Sequence, residues 1–465
     1  MQDSIDDIND GALQRDAFVL PTFRSFVDEG SSDIAIEDLD KPCTYLCGNS
    51  LGALPKRADE YVRQELEIWA KRGVEGHFNH PEGRPWSSTD HINPLLAELV
   101  GARTDEVACM STLTANLHLM MNSFYKPTPS RYKILCETKA FPSDQYAFAS
   151  QVTLHGLDPQ NAVLELSPRS GEYTLREDDI LSTIEREGAS IALVLFPAVQ
   201  YYSGQWFPME RITRAAKTQG CTVGWDLAHG IGNVPMALHD WDVDFAVWCT
   251  YKYLNSGPGG IAGLFVHEKW ADEHKPRYAG WWGHDPATRF AMPPHFEPVR
   301  GAQGFQQSNP SALCNAALMG ALEVFRDAGM LPAVRRRSVR LTGAFYERLT
   351  KSRWYVPPER AASYGFDSTG KGAQGGSKEV HPAFTIITPA DPEARGAQLS
   401  LLLLPADSGL MPRVFAGLKR RGVVGDEREP DVIRLSPAPL YNTWADCERA
   451  AEVLDAVFEE LTLAP

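Results

Sequence analysis

The sequence predicts an α/β protein built around a mostly parallel β-sheet, followed by a smaller α+β domain. In the middle of the chain, short apolar runs alternate with amphipathic helical segments, as in βαβ units. These runs are continuously apolar, which is typical of parallel strands covered by helices on both faces. After about residue 330 the pattern changes to a basic helix, a Gly- and Ser-rich surface loop at 365–379 and isolated strands.

The elements of the first domain follow from these patterns. We predict buried strands at Ile191–Phe196, Thr222–Trp225 and Phe245–Trp248. Amphipathic spacing predicts helices at Glu177–Glu187 and Met209–Gln219 between them. Parallel strands need crossover connections of this length, so the alternation favours parallel over antiparallel pairing.

A helix with one apolar face is predicted before this region. Pro55 stands at its first turn and Gly73 at its end, which are the positions these residues favour. The apolar face consists of Ala58, Val62, Leu66 and Trp69.

The carboxy-terminal region is predicted to form the smaller domain. A helix from about Pro332 to Lys351 carries a basic cluster, Arg335–Arg337, in solvent. Strands are predicted at Phe384–Ile387 and Val432–Leu435, and a last helix begins at Thr443. The chain is therefore divided into an amino-terminal segment that packs on the small domain (1–55), a large domain (56–330) and a small domain (331–465).

Composition and charge exclude several classes of protein. With 45 basic and 60 acidic residues among 465, the formal net charge is −15 at pH 7, opposite to that of a nucleic-acid binder. The charge-free stretch Ser190–Met209 is interrupted by prolines and polar residues, so it predicts a buried strand and a loop rather than a membrane span. The eight cysteines lack zinc-site spacing, so no metal is expected. Scattered thiols and an acidic start without a signal pattern favour a cytoplasmic enzyme.

Asp226 and Lys252 carry the predicted chemistry. Each stands at the end of an apolar strand, where open parallel sheets bind their ligands. A lysine amine can join the aldehyde of pyridoxal phosphate, and a carboxylate can pair with its pyridine nitrogen and keep it protonated. Either residue alone is usually structural, as a turn aspartate or a surface lysine. Together with the glycine-rich turn at Gly257–Gly260, they predict a pyridoxal phosphate site.

Neighbouring segments could complete this site. From Val107 the sequence predicts a strand, a polar turn and a helix, whose first N–H groups and Thr114 hydroxyl would bind a phosphate. A simple Ser/Thr helix cap is the alternative. Phe141 could stack on the pyridine ring, while Asp144 could contact the cofactor or cap its own helix. His229 could contact the cofactor or satisfy a loop carbonyl.

A series of short segments also follows a recognisable order along nearly the whole chain. They are Tyr45–Gly52, Arg84–Trp86, Leu113–Thr114, Ala140–Asp144, Asp226–His229, Tyr251–Asn255, Gly280–His284, Ser308–Pro310, and Arg434 with Pro439–Asn442. In this series the chain resembles the kynureninase family, pyridoxal phosphate enzymes with the aspartate-aminotransferase fold (fold type I). The aspartate and lysine mark only the wider superfamily. The Gly-Asn-Ser-Leu-Gly, Gly-Trp-Trp-Gly-His and Pro-Leu-Tyr-Asn segments narrow the resemblance to this family.

The resemblance implies a fold and a set of residue roles. The fold would be a large domain with a mostly parallel seven-stranded sheet, plus a smaller α+β domain. Lys252, Tyr251 and Asp226 would be catalytic, and Arg434 would bind the substrate α-carboxylate, which suits its two-pronged donor. Cofactor contacts would come from Leu113, Thr114, Phe141, Ser143, Asp144, Asp226, His229, Tyr251, Lys252, Trp281 and Asn309. Further substrate contacts would come from Ser50, His77, His284 and Asn309.

The resemblance also implies a reaction and an assembly. The reaction would be hydrolytic cleavage of the Cβ–Cγ bond of L-kynurenine or 3-hydroxy-L-kynurenine. It would give anthranilate or 3-hydroxyanthranilate and L-alanine, in tryptophan catabolism and de novo NAD biosynthesis. The enzyme would be a homodimer with shared sites, in which Trp281 and Asn309 reach the partner's cofactor or substrate. His80 is the alternative to His77, because the segment that contains them is longer than expected.

Two alternatives stay open at this point. The first is another fold type I enzyme, such as a transaminase or a cysteine desulfurase. A desulfurase needs a nucleophilic cysteine on a mobile loop, and the Gly-rich segment 365–379 contains none. The second is a non-catalytic protein of the same fold, which would be expected to lack Lys252, Asp226 or Arg434.

Overall fold

Two β-sheets, one of seven strands and one of four, organise the part of the chain that the structure describes. This computed structural model describes residues 12–26, 34–81, 89–273, 278–364 and 381–463. Its strands, in chain order, are β1 (Phe18–Val19), β2 (Thr44–Tyr45), β3 (Leu54–Pro55), β4 (Val107–Cys109), β5 (Lys133–Glu137), β6 (Val163–Leu166), β7 (Ile191–Pro197), β8 (Thr222–Asp226), β9 (Phe245–Cys249), β10 (Ala262–Val266), β11 (Ala383–Ile386), β12 (Leu399–Leu404), β13 (Val423–Val424), β14 (Asp426–Arg428) and β15 (Val432–Leu435). Its α-helices are Lys56–Arg72, Asn93–Val100, Leu113–Phe124, Pro142–Leu154, Pro159–Ala162, Glu177–Glu187, Met209–Thr218, Ala312–Asp327, Met330–Thr350, Pro358–Ala361, Leu410–Arg420 and Trp444–Leu463.

The seven-stranded sheet is mostly parallel, as predicted. Its strand order is β4-β10-β9-β8-β7-β5-β6. Strands β5 to β9 pair in parallel, and β10 runs antiparallel to both of its neighbours. Alternate residues of one strand enter two different hydrophobic clusters: Phe245 and Val247 pack into one, and Ala246 and Trp248 into the other. Burial on both faces explains the continuously apolar strands of the sequence.

The predicted strand and helix bounds in this region are confirmed to within one or two residues. The difference that matters lies at the carboxyl ends of the strands. Strand β8 includes Asp226 as its last residue, and strand β5 ends at Glu137. Both carboxyl groups therefore lie at the same edge of the sheet, where parallel strands place their last residues.

The four-stranded sheet is antiparallel, with the order β11-β12-β15-β14. The amino-terminal segment contacts this region, since β2 pairs with β13 and Arg15 Nη1 lies 2.7 Å from Asp446 Oδ2. The three-part division of the chain stays a prediction, and the Gly-rich segment 365–379 lies outside the described residues. Within the described ranges, no helix has both the length and the apolar character needed to cross a bilayer.

Two of the three arginines at 335–337 are buried, although the whole cluster was predicted to lie in solvent; Arg336 is exposed, as predicted. Arg335 is 8% exposed and Arg337 is 1% exposed. Their guanidinium groups donate to backbone carbonyls instead, Arg335 to Pro392 and Arg337 to Pro439. Long arginine side chains can satisfy buried backbone acceptors in this way, and a helical pattern does not reveal which carbonyls lie nearby.

Helices Lys56–Arg72 and Ala312–Asp327 pack with almost no space between their backbones. A Cβ atom placed on Gly320 would lie 2.6 Å from the backbone nitrogen of Ala58. By contrast, a Cβ on Gly343, inside helix Met330–Thr350, would meet only Arg395 Nη2 at 4.0 Å. The two helical glycines therefore differ in the space available to them.

We expect Gly320→Ala to lower the free energy of unfolding by about 1–3 kcal/mol, because one of the two helix backbones must move. Gly343→Ala is the matched control and should raise it by about 0.5–1 kcal/mol, because alanine restricts the unfolded chain. Denaturant unfolding followed by circular dichroism measures both. Equal effects of the two substitutions would contradict the packing described here.

Candidate active site

A cavity of about 550 Å³ opens beside the carboxyl ends of β5, β7 and β8. Nine of the residues predicted to bind the cofactor lie in its wall: Leu113, Thr114, Phe141, Ser143, Asp144, Asp226, His229, Tyr251 and Lys252. These residues come from four separate segments of the chain. The sheet brings them together because its parallel strands end at one edge.

Asp226 and Lys252 face this same cavity. Asp226 is the last residue of β8, and its Oδ1 accepts a hydrogen bond from the Ala228 N–H at 2.6 Å. Lys252 follows β9, and its Nζ lies 5.8 Å from the centroid of the Phe141 ring. A carboxylate, an amine and an exposed aromatic face thus surround a space that can hold an aromatic ring.

His229 and Lys252 are direct neighbours. His229 Nε2 lies 3.0 Å from Lys252 Nζ. Burial lowers the pKa of His229 well below its usual range, and the positive charge of Lys252 lowers it further. The imidazole is therefore neutral and accepts a hydrogen bond from the lysine amine.

Three carboxyl groups line the cavity, and two of them, Asp144 and Asp226, are hydrogen-bonded to each other. Burial raises the pKa of Asp144 well above its usual range, and the charge of Asp226, to which it is hydrogen-bonded, adds to this effect. Burial also raises the pKa of Asp226, while the Ala228 N–H and the charge of Lys252 oppose the rise. Asp144 is consequently the protonated member of the pair, and it donates a hydrogen bond to Asp226. Glu137 is the third carboxyl group and lines the same cavity.

One end of the cavity is suited to an anion. Leu113 and Thr114 begin the helix Leu113–Phe124, and the Thr112 side chain makes no capping hydrogen bond to it. The first N–H groups of a helix lack partners within it and attract phosphate groups. The predicted phosphate position is therefore compatible with the local backbone.

Four buried polar atoms of the cavity residues lack a hydrogen-bond partner among the described residues. They are both carboxyl oxygens of Glu137, Oδ1 of Asp144 and Nδ1 of His229. An unpartnered buried polar group costs about 1–3 kcal/mol, so it usually marks a ligand or water position. Together with the helix start, these atoms fit pyridoxal phosphate, which has polar groups around its ring and an anionic tail.

The segment that contains Ser50 packs against the lysine segment. The Gly52 N–H donates to the Tyr251 carbonyl at 2.8 Å. A Cβ on Gly52 would lie 2.4 Å from the Lys252 carbonyl, so this approach requires glycine. Ser50 lies two residues before this contact and is not part of the cavity wall described above.

Arg434 contacts the backbone of Tyr201, a residue that lines the cavity. Its Nη1 donates to the Tyr201 carbonyl at 2.7 Å, and its Nη2 is bonded to Asp426. Asp426 is also paired with Arg428, whose Nη1 lies 2.6 Å from Oδ1. The Arg434 Nε has no acceptor among the described residues. Two arginines and one aspartate leave a net charge of +1 beside the cavity.

The other predicted residues lie away from this cavity in the same chain. His77, Trp281 and Asn309 are exposed, and Asn309 lines a separate cavity of about 880 Å³. His284 is buried, with Nε2 at 3.0 Å from the Thr288 hydroxyl and Nδ1 accepting from the Glu297 N–H. His80, the alternative to His77, is buried and bonded to Glu65 at 2.7 Å. The segment Arg84–Trp86 lies outside the described residues.

Two polar side chains of the cavity wall, those of Glu137 and Tyr201, were not predicted from the sequence. Glu137 could have been found, because it ends a strand of the sheet just as Asp226 does. Tyr201 lies in the loop after β7, where no pattern indicates the direction of a side chain.

Comparisons with solved structures identify the fold. The chain matches a C-DES mutant with glycine covalently linked to the PLP cofactor, with a TM-score of 0.70, 15% identity, and coverage of 90% of this chain and 97% of that chain. It also matches an apo cysteine desulfurase from Thermococcus onnurineus, with a TM-score of 0.67, 16% identity, and coverage of 90% and 95%. Identities this low show the fold alone.

Family models and curated relatives are more specific. Residues 87–283 match the model for aminotransferase class-V, and residues 374–454 match that for the kynureninase C-terminal domain. The kynureninase of Yarrowia lipolytica is 50% identical, over 88% of this chain and 93% of the relative. The kynureninases of Saccharomyces cerevisiae and Nematostella vectensis are each 48% identical, over 96% of this chain and 97% and 91% of theirs. On this identity and coverage, the chain belongs to the kynureninase family.

Proposed function

We propose that this protein uses pyridoxal phosphate to hydrolyse the Cβ–Cγ bond of L-kynurenine or 3-hydroxy-L-kynurenine. The products are anthranilate or 3-hydroxyanthranilate and L-alanine, and the reaction belongs to tryptophan catabolism and NAD biosynthesis. The observation that carries this proposal is the cavity wall shared by Lys252 and Asp226, in a chain 48–50% identical to three relatives named kynureninase.

Lys252 and Asp226 have complementary roles in this proposal. When bound, pyridoxal phosphate supplies an aldehyde for an amine and a protonated ring that accepts electrons. Hydrogen bonds from the Ala228 N–H and from Asp144 favour the charged form of Asp226, which would hold positive charge at the ring nitrogen. Lys252 would bind the cofactor and then move the proton of the substrate α-carbon, with its amine oriented by His229. The cofactor would also contact Phe141, Ser143 and Tyr251, which line the same cavity.

The charged cluster of Arg434, Arg428 and Asp426, next to Tyr201, supports a binding site for the substrate carboxylate. Arg434, Arg428 and Asp426 together have a net charge of +1, which is the charge needed to receive one substrate α-carboxylate. The unpartnered Nε of Arg434 gives this anion a free donor within the described structure. A planar guanidinium suits two-point binding of a carboxylate better than an ammonium does.

The cysteines argue against a desulfurase. A nucleophilic cysteine needs a lowered thiol pKa. Burial instead raises the pKa of both Cys43 and Cys47 to about 12. All eight cysteines are free thiols and six are buried, which also supports a reducing, cytoplasmic location.

Product analysis tests the reaction directly. We expect the purified protein with pyridoxal phosphate to release L-alanine and anthranilate in equal amounts from L-kynurenine, without any added 2-oxo acid. The measurement is liquid chromatography of both products, repeated with 3-hydroxy-L-kynurenine. A requirement for 2-oxoglutarate would identify a transaminase and overturn the proposal.

Lys252→Arg should abolish this activity while keeping a positive charge at the site. Without a nucleophilic amine the variant cannot link to the cofactor, so we expect turnover to fall at least about 10³-fold. Borohydride reduction followed by peptide mass spectrometry should find the cofactor on Lys252 of the wild type and none on the variant. A cofactor attached to another lysine in the wild type would show that the site is wrong.

Arg434→Lys should raise KM for kynurenine about tenfold or more and change kcat less, because a lysine loses two-point binding. Arg337→Lys is a matched control, since Arg337 is equally buried but donates to backbone carbonyls away from the cavity. Steady-state kinetics and thermal unfolding separate the two. A change in KM for Arg337→Lys as large as that for Arg434→Lys would remove the role assigned to Arg434.

We further propose a homodimer, supported by an exposed aromatic surface. Trp69, Phe78, Trp281 and Phe290 are all exposed. The Phe290 ring contacts two of the others: its centroid lies 6.1 Å from that of Phe78 and 5.3 Å from that of Trp281. Exposed apolar patches of this kind mark interaction surfaces. His77 adjoins Phe78 at 6.2 Å, so the same surface would bring His77 and Trp281 to the partner's cavity.

Mixing two inactive variants tests the shared site. In a symmetric dimer with shared sites, subunits carrying Lys252→Ala and subunits carrying Asn309→Ala form mixed dimers with one intact site. After random exchange of subunits, we expect about a quarter of the wild-type activity to return. Activity that stays at the level of the separate variants, with mixed dimers present by native mass spectrometry, would show that each chain builds its own site.

A further inference from the structure

Glu137 has an unusual position for a carboxyl group. It is the last residue of β5 and is 3% exposed. Neither of its oxygens has a hydrogen-bond partner in another described residue. Its side chain lines the cofactor cavity and also an adjoining cavity of about 1250 Å³, and Tyr201 is the other described residue that lines both. Burying two acceptors without partners is costly unless a ligand or water completes them.

The charges in the cavity indicate the protonation state of this group. Glu137, Asp144 and Asp226 face a single amine, that of Lys252. If all three carboxyl groups were ionised, the cavity would repel a phosphorylated ligand. Burial raises the pKa of Glu137 well above its usual range, and the charges of Asp226 and Glu165 raise it further. Glu137 is therefore neutral and carries one O–H donor.

We propose that Glu137 is a further cofactor-binding residue, a protonated carboxyl group that donates a hydrogen bond to an anionic oxygen of bound pyridoxal phosphate. Two features of the chain support this role. The Glu137 donor is not used by any other described residue, and it points into the cavity that holds the cofactor-binding lysine. A neutral acid kept in an apolar site is an effective donor to an anion, because it brings no charge of its own. The inference rests on the proposed function only for the identity of the cofactor.

Titration of the apoenzyme with pyridoxal phosphate tests this role without any substrate. Quenching of tryptophan fluorescence gives the cofactor Kd. Glu137→Leu removes the donor but keeps most of the volume, so we expect its Kd to rise about tenfold. Glu137→Gln keeps a neutral donor, so its Kd should stay within about twofold of the wild type.

Glu165→Gln is the matched control. Glu165 lies on the neighbouring strand β6, opposite Cys136, and is exposed. Its substitution removes a carboxyl group that lies outside the cavity. Burial, the main cause of the raised pKa of Glu137, is unchanged, so the Kd should stay the same. An unchanged Kd for Glu137→Leu, or a Kd for Glu137→Gln as weak as that for Glu137→Leu, would overturn the inference.

Infrared difference spectra of the wild type supply a second measurement that does not depend on how the leucine variant folds. Adding cofactor should shift the carbonyl stretch of the protonated Glu137, and this band should be absent from Glu137→Gln, while a band from the protonated Asp144 remains in both proteins. If no such band responds in the wild type, Glu137 is not a donor to the cofactor. Failure of the wild type to cleave kynurenine would overturn the proposed function and leave these binding results unaffected.

Discussion

The parallel pairing of β8 with β9 is the constraint on which the rest of the site depends. Because the two strands run in the same direction, Asp226 at the end of one and Lys252 just beyond the other reach the same edge. The pairing needs Gly224, where a Cβ would lie 2.3 Å from the Phe245 ring. If the two strands were antiparallel, Asp226 and Lys252 would lie at opposite edges of the sheet.

Burial then determines which groups of the site are charged. Desolvation alone would neutralise every acid and the histidine in the cavity. Asp226 differs from the other carboxyl groups because it accepts hydrogen bonds from the Ala228 N–H and Asp144 and lies near Lys252. Burial, and after it the charge of Lys252, lowers the pKa of His229 and keeps the imidazole neutral. The cavity thus keeps one anion beside one cation and surrounds them with neutral donors and acceptors, which suits a cofactor that brings its own charges.

The large sheet could be predicted because strands buried on both faces appear in the sequence as continuous apolar runs. It also located Asp226 and Lys252, because the rule of strand ends does not require knowledge of the strand order. Glu137 also ends a parallel strand, so the same rule would have placed it at the site, but the rule was not applied to it. The burial of Arg335 and Arg337 was unpredictable, since it depends on carbonyls up to about a hundred positions away. His77, Trp281 and Asn309 were named through family resemblance alone, since no local pattern relates them to the lysine.

The apolar face of helix Lys56–Arg72 links folding to function. Within the chain this helix buries Ala58 against its neighbour, while Leu66 and Trp69 on the same face remain exposed. Trp69 and His77 line one cavity of about 620 Å³, so the exposed face continues into a residue expected at the substrate. Covering this surface with a second copy would remove apolar area from water and bring His77 to the partner's cavity in the same step. In the proposed homodimer, association and completion of the active site would then have the same driving force.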